Sequence, residues 1–379
     1  MFSVIDLYAG AGGLSLGAAR AGFNLVAAVE LDPNAMKSHI TNFPNTIHIQ
    51  KDISTLTGRE LLTLAKKPDS DTLGIIGGPP CQGFSSMGHG DVNDDRNSLF
   101  IKFFQIVSEV QPLFFLAENV PGIMKNKYEE IRAKAFNLVT DYDIFEPLII
   151  DASLYGAATN RTRYFFIGFR KDSHINISKE KFSGAQLPEK ERTTVEKAFE
   201  GLPLKIDIDK NKNGYRKIRS SYYRTQARKQ SDFFYNHMTG FIPTGVGDKE
   251  FIENYQQFHI TNGFLVTRHS VEVKERYNGL KYGEQDKISK SQRLNPQKYC
   301  PTLRAGTGPD KGSFQAVRPI HYKEGRVIVP REAARLQGFP DWYKLPDTIW
   351  HSFRQIGNSV SPIAAEAVLK VLYDYCCEL

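Results

Sequence analysis

The sequence predicts an α/β fold, an open doubly wound sheet that carries a second, smaller, loop-rich domain. Three observations carry this. Strand and helix signals alternate through the first 170 residues. Two of the strand segments are apolar almost throughout, as strands covered on both faces are. A glycine-rich turn joins the first strand to the first helix, where open α/β sheets place their ligands.

The elements follow in order. SVIDLYA (3–9) is a short apolar run, broken by Gly10 to Gly13, and residues 14–22 read as a helix closing at Gly22. NLVAAVEL (24–31) and TIHIQKDI (46–53) read as the second and third strands. LGIIGG (73–78) and LFFLAENV (113–120) are the two nearly continuous apolar strands. Between them Leu99, Phe103, Ile106, Val107 and Val110 fall at helical spacing before Pro112. EPLIID (146–151) and RYFFIGF (163–169) complete the strand-rich part. Residues 171–292 are polar, rich in turn residues and without a sustained period, so a separate unit is expected there. Pro330 to Gly338 reads as a short helix with Pro first and Gly last, and Ser361-Pro362 as the N-cap and first residue of a helix over 363–375.

Length and composition narrow the class. A chain of 379 residues suggests two or three domains at roughly 150 residues each. Hydrophobic residues at 41% and charged residues at 24% exclude a largely disordered chain, a collagen and a disulfide scaffold. No run of 18 apolar residues and no secretory signal are visible. Cys81, Cys300, Cys376 and Cys377 form neither a C-x-x-C pair nor a Cys/His zinc spacing, so no metal and a reducing, cytoplasmic location are expected. The net charge is +7, and residues 171–292 hold 22 Lys/Arg against 16 Asp/Glu. Within them Lys210 to Lys229 carries eight basic residues, no acidic one, and Tyr215, Tyr222 and Tyr223 interleaved. Such a cluster suits a polyanion, although a solvated surface loop is the competing explanation.

Four motifs carry chemistry. In DLYAGAGGLSLG (6–17), Gly10 and Gly12 fit a G-x-G-x-x-G turn, but Ser15 replaces the third glycine. Glu30 ends the second strand, where a carboxylate can accept from both ribose hydroxyls, and Asp52 ends the third, where it could hold a base amino group. A nucleoside cofactor follows. NAD and S-adenosylmethionine are not separated by these features, although Ser15 disfavours NAD. In GGPPCQGFS (77–85), two prolines hold Cys81 in a rigid turn at the carboxyl end of a strand, the exposure a nucleophilic thiol needs. Glu118 in AENV (117–120) ends the neighbouring strand, and a carboxyl in a partly dry pocket can donate a proton. In NRTRYFFIGFR (160–170), Arg161 and Arg163 share one face at period two, placing two guanidinium groups to bind a carbonyl oxygen or orient Glu118.

Together these motifs resemble the cytosine-C5 DNA methyltransferases of restriction–modification type. The resemblance covers nearly the whole chain except about 171–292. DLYAGAGGLSLG is similar to that family's cofactor loop, GGPPCQGFS to its nucleophile loop, ENV to its glutamate motif and NRTR to its paired-arginine motif. DDRNSLF (94–100), CPTLRAGTG (300–308), REAARLQGFP (331–340) and RQIGNSVSP (354–362) resemble further family segments, in the family's order. Two positions depart: Thr159 stands where the family usually has Gln, and Asn97 where it often has Gly.

The resemblance implies a Rossmann-like doubly wound methyltransferase sheet at 1–182 plus 325–379, with a loop-rich DNA-recognition domain at 183–324. It implies S-adenosylmethionine as methyl donor and S-adenosylhomocysteine as product, with no metal. The donor would be held by Tyr8, Ala9, Gly10, Gly12, Gly13 and Leu14 of the turn. Glu30, Leu31, Asp52, Ile53, Pro79, Pro80, Leu99, Asn358 and Ser359 would complete the site. It implies that Cys81 attacks cytosine C6, that Glu118 binds N3 and the amino group, that Arg163 contacts O2, and that Arg161 steadies Glu118 or the backbone. Double-stranded DNA is the expected partner, with the target base flipped out and residues 84–97 closing over it. A cognate restriction endonuclease acting on the same site and a monomeric state are further expectations. DNA contacts are expected from Gln82, Ser85, Arg216, Lys217, Arg219, Tyr222, Arg224 and Arg304. The alternatives are an RNA (tRNA) cytosine-C5 methyltransferase, a catalytically silent DNA-binding regulator and an NAD-dependent oxidoreductase.

Overall fold

The computed structural model describes residues 2–66, 72–80, 97–175, 177–206, 213–226, 232–305 and 317–378. Its centre is a mixed sheet built from β1 (Ser3–Leu7), β2 (Asn24–Val29), β3 (Ile47–Ile49), β4 (Leu73–Gly77), β5 (Phe114–Asn119), β6 (Tyr142–Ile144), β7 (Leu148–Asp151) and β9 (Thr162–Arg170). The order is β3-β2-β1-β4-β5-β9-β6, with β7 also paired to β9. From β3 to β5 every pairing is parallel, and β9 meets β5, β6 and β7 antiparallel. The connections run outward from β1 in opposite directions, which opens a crevice between the carboxyl ends of β1 and β4.

Strand period two sorts the core onto two faces. Ile5 and Leu7 of β1 and Phe115 and Ala117 of β5 join one cluster with Phe100, Phe103 and Phe104 of helix α4. Val4, Phe114 and Leu116 point the other way, into a cluster with α1 and the last helix. The helices of this part are α1 (Gly13–Ala21), α2 (Pro33–Asn42), α3 (Gly58–Leu64), α4 (Asn97–Val110) and α5 (Glu129–Phe136). With both faces covered, β1, β4 and β5 are buried at every residue. That is why their sequences read as unbroken apolar runs.

The third strand is shorter than the sequence suggests, three residues in place of eight. Its expected end instead turns into a 3-10 segment over Ile53–Thr55, capped by Asp52 Oδ1, which accepts from Ser54 N at 2.9 Å. Beyond residue 171 short helices replace the expected loops: α6 (Lys179–Gly184), α7 (Val195–Phe199), α8 (Ser220–Gln226), α9 (Phe233–Thr239), α10 (Lys249–Phe258) and α11 (Val271–Gly279). Two short ladders accompany them. β10 (Arg216–Lys217) pairs with β11 (Ile260–Thr261), and β12 (Cys300–Pro301) with β8 (Thr159–Asn160).

Helix α12 (Pro330–Gln337) anchors this second part. Arg331 is fully buried and donates to the carbonyls of Asn262, Pro340 and Tyr343 at 2.7 to 2.9 Å. Arg335 forms a buried two-pronged pair with Asp341. Phe199, Tyr222, Tyr255 and Phe264 share one apolar cluster with Ala333 and Leu336 of α12. Helices α13 (Ile349–Asn358) and α14 (Pro362–Cys377) complete the chain, and α14 returns onto α1. The approach is close: a Cβ on Gly17 would lie 2.4 Å from that of Ala365. Pro362 opens α14 as the sequence predicts, but the Ser361 hydroxyl makes no capping bond.

Candidate active site

The turn after β1 takes its shape from three left-handed residues, Tyr8 (φ +61°), Gly10 (+57°) and Gly12 (+85°). Positive φ strains any side chain, so glycine dominates here. The Glu30 carboxylate holds this turn against the end of β2. Gly10 N donates to Oε2, and Leu31 N and Asp32 N donate to Oε1, each at 2.8 Å. A carboxylate offers about four acceptor positions, so Glu30 retains capacity beyond these amides. The Tyr8 hydroxyl donates to the Leu99 carbonyl at 2.9 Å, tying the turn to the start of α4. Burial raises the Tyr8 phenol well above its usual range and keeps it a donor.

These groups open onto a cavity of about 590 Å³ at the carboxyl ends of β1, β2, β4 and β5. Every sequence-predicted cofactor residue except Gly12 lines it: Tyr8, Ala9, Gly10, Gly13, Leu14, Glu30, Leu31, Asp52, Ile53, Pro79, Pro80, Leu99, Asn358 and Ser359. Gly12 faces away, because a Cβ there would meet the Phe43 ring at 2.3 Å and the Tyr343 hydroxyl at 3.1 Å. Its role is to let those rings pack beneath the turn, where Tyr343 donates to the Ala11 carbonyl. The chain's far end closes the wall. A Cβ on Gly13 would lie 2.1 Å from Ser359 Oγ and 2.3 Å from the Val360 carbonyl.

Sequence reasoning missed several lining residues. Arg354 pairs with Asp32 at 2.8 Å, and Gln355 Nε2 donates to the Asn34 carbonyl at 3.0 Å, fastening α13 across the start of α2. Both lie in RQIGNSVSP, where the resemblance implies only Asn358 and Ser359. Asp6 also lines the cavity. Its alternation with Ile5 and Leu7 marks it as facing α1, a signal the sequence does carry.

At the same sheet edge lies Glu118, 9% exposed, at the end of β5. Arg163 Nε sits 2.7 Å from Glu118 Oε1. Oε2 lies over Gly78, whose added Cβ would come within 3.0 Å of it. Gly78 opens the Pro79-Pro80 segment that leads to Cys81. Cys81, Gln82 and Ser85, and residues 84–96 of the expected closing loop, lie outside the described residues. The two arginines have different partners. Arg163 contacts Glu118, while buried Arg161 reaches a backbone group, the Leu303 carbonyl, through Nη1 at 3.4 Å, one of the two roles expected of it. The reason is placement: Arg161 precedes β9 and points to the segment after β12, whereas Arg163 stands within β9, beside β5. Thr159 is buried, and its hydroxyl donates to the Cys300 carbonyl at 3.1 Å, joining β8 to β12.

The expected DNA contacts separate into three groups. Lys217, Arg219 and Arg304 are exposed, and Arg216 is half-buried with Nη1 on the Tyr215 carbonyl. Tyr222 is a correction, being a core residue at 4% exposure. Its ring packs on Tyr235, and the buried Arg335 guanidinium lies 5.1 Å from its centre, so it has no face for a base. The Arg224 side chain lies outside the described residues. Among the described residues no cluster of His, Cys, Asp and Glu is arranged to hold a metal, and no helix is long and apolar enough to cross a membrane.

Comparison with known proteins agrees with this geometry. The family model for C-5 cytosine-specific DNA methylase matches residues 2–374. The chain is 36% identical to the type II methyltransferase M.XorII of Xanthomonas oryzae pv. oryzae, covering 96% of this chain and 82% of that protein. It is 34% identical to the type II methyltransferase M.DdeI of Desulfomicrobium norvegicum, covering 98% and 89%. Among solved structures, a prophage-encoded E. coli protein assigned as a DNA modification methyltransferase shares 49% identity at a TM-score of 0.85, covering 99% of each chain. The chain therefore belongs to the C-5 cytosine-specific DNA methylases of type II restriction–modification systems, enzymes that take their methyl group from S-adenosylmethionine.

Proposed function

We propose that this enzyme flips a cytosine out of double-stranded DNA at one short sequence and methylates C5 through a covalent Cys81–C6 adduct. The observation that supports this reading is the shared cavity. The turn of residues 8–14 and the Glu118–Arg163 pair face the same space, so a methyl donor and a base could meet there.

The lining suits S-adenosylmethionine. The volume falls in the usual range for a bound cofactor, about 300–1,000 Å³. Glu30 retains acceptor capacity for ribose hydroxyls, and Leu31, Ile53, Pro79 and Pro80 offer apolar surface to a purine. At Gly10 an added Cβ would meet nothing closer than the Tyr8 carbonyl at 3.9 Å, so the backbone there leaves room for a ligand. When bound, S-adenosylmethionine supplies an electrophilic methyl group.

The chain's own residues do the rest. The Cys81 thiolate adds to C6 and makes C5 nucleophilic. Glu118 holds N3 and the exocyclic amino group, and Arg163, already fixed on Glu118, holds O2. After methyl transfer the C5 proton leaves, the S–C6 bond breaks and the ring regains aromaticity. C5 is out of reach in a stacked duplex, hence the flipping step. Residues 1–182 plus 325–379 serve as the catalytic domain and 183–324 as the recognition domain. There exposed basic residues neutralise phosphates and other side chains read base edges. A monomer suffices to modify one base, and the natural partner is an endonuclease cutting the same sequence.

The test is bisulfite sequencing of DNA from cells expressing the chain or Cys81→Ala. New 5-methylcytosine at one recurring short sequence, absent with the variant, is expected. Methylation that persists with Cys81→Ala would overturn the covalent mechanism. Its absence from DNA, with methylation of RNA, would move the substrate to RNA.

A further inference from the structure

Beneath the cofactor turn runs a continuous chain of buried polar side chains that the methylation mechanism does not use. Ser15 Oγ lies 2.5 Å from Asp6 Oδ2 and 3.0 Å from His39 Nε2. His39 Nδ1 lies 2.9 Å from His48 Nε2. Asp6, Ser15 and His39 are each no more than 1% exposed, while His48, on edge strand β3, is partly exposed. The Phe43 ring stacks on His39 with centres 4.4 Å apart and fixes its orientation. The chain therefore connects the cavity wall to the outside.

Asp6 is the end that meets the cavity. Its second oxygen, Oδ1, is buried and has no hydrogen-bond partner among the described residues. No cation pairs with it there either; the charged group that bears on it is Glu30, at the end of the neighbouring β2. Burial chiefly, with the Glu30 charge added and the Ser15 hydrogen bond opposing, pushes the Asp6 carboxyl up to about 7. Burial also holds His39 well below the usual histidine range, with His48 adding to it, and lowers His48. Both rings are therefore neutral at pH 7 and able to pass a proton by exchanging tautomers. An orphaned buried acceptor is costly and calls for a partner. In a cavity taking S-adenosylmethionine that partner can be electrostatic, because the donor carries a fixed sulfonium charge and the product is a neutral thioether.

We propose that Asp6 is the residue that distinguishes methyl donor from product by charge, and that it ionises on donor binding by passing its proton through Ser15, His39 and His48. The proposal rests on the cofactor reading given above. The balance is simple. Asp6 gives its proton to Ser15 Oγ, Ser15 gives its own to His39 Nε2, and His39 gives the Nδ1 proton to His48 Nε2. His48 then releases one proton from Nδ1 to water. Each histidine ends neutral in the opposite tautomer, and Asp6 ends as the carboxylate. The thioether product gives no such reason to ionise, so it binds with the Asp6 proton in place.

The test is titration calorimetry on the whole protein with S-adenosylmethionine and with S-adenosylhomocysteine, in buffers of different ionisation enthalpy. Asp6→Asn sets the baseline for protons exchanged by the ligands' own amino groups. At pH 7 the donor should release about half a proton above that baseline, falling to nearly none at about pH 8.5. The product should release almost none above it at either pH. If Asp6→Asn does not fold, Asp6→Ser supplies the baseline, because the two ligands' amino groups need not exchange equal numbers of protons. Equal proton counts for the two ligands, or a count unchanged in Asp6→Asn, would overturn the proposal. A protein that binds neither ligand would instead bring down the cofactor reading. With a pH indicator in stopped flow, Ser15→Ala should slow the release; an unchanged rate would remove the relay.

Discussion

Arg163 holds Glu118 by a 2.7 Å contact between Nε and Oε1, and the two residues come from neighbouring antiparallel strands. Glu118 stands opposite Phe165 in that ladder, so Arg163 reaches back along its own strand toward the cavity. Both groups belong to the protein, so the fold itself orients the carboxylate. A group fixed in advance adds no ordering cost at the moment of reaction.

Glu118→Gln keeps the side chain's size and removes its charge. Methyl transfer in a single turnover should fall about 10²–10⁴-fold, the usual share of a positioned acid or base. S-adenosylmethionine affinity should stay within a few-fold. A variant within tenfold of wild type would show that the carboxylate is not used.

Gly13→Ala tests how the chain's two ends meet. The new methyl group would overlap Ser359 Oγ and the Val360 carbonyl, 2.1 and 2.3 Å away. Urea unfolding should show a loss of about 1–3 kcal/mol, the usual cost of overpacking, and S-adenosylmethionine should bind more weakly. Gly184→Ala is the control, since a Cβ there meets nothing within 4 Å and should leave both readouts unchanged.

His321 gives a pH dependence with a definite sign. It is 2% exposed, and its Nδ1 accepts from the backbone amides of Lys323 and Glu324 at 2.9 and 3.2 Å. Burial, partly offset by Glu332, pushes it down to about 4. The folded pKa lies below the unfolded one, so this stabilising contribution is complete above about pH 6.5 and is lost as pH falls toward 4. The drop in urea midpoint between those pH values should be smaller in His321→Gln; an equal drop would assign the acid sensitivity elsewhere.

Arg216→Ala and Lys217→Ala probe the basic run on β10. Each should weaken binding to all DNA sequences alike and lower the slope of log affinity against log salt by about 0.9 for every phosphate no longer neutralised. Unchanged slopes would remove this ladder from the DNA interface.

The parallel half of the fold was legible because β1, β4 and β5 are buried on both faces and leave an unbroken apolar signature. The cofactor turn was legible because its φ values demand glycine at 10 and 12. Helices α6 to α11 were not. They run five to ten residues and bury few side chains each, for example Phe234 and Met238 in α9. Periodicity needs a longer window than that. Tyr222 misled because a tyrosine among basic residues looks like a stacking platform, and the guanidinium on its ring comes from Arg335, more than a hundred residues away. The division of labour between Arg161 and Arg163 depends on where β9 begins, and element boundaries are what sequence reading resolves least well.

The contact of Gly13 with Ser359 and Val360 has a temporal meaning. During synthesis β1 to β5 can pair as they emerge, but the wall at residues 354–360 follows more than 200 residues later. A ribosome-bound chain lacking residues 354–360 has neither the Arg354–Asp32 pair nor the Ser359 side chain at the turn. Methyl-donor binding is thus deferred until residues 354–360 have emerged and folded back, and a product aborted before that point has an unfinished cofactor wall.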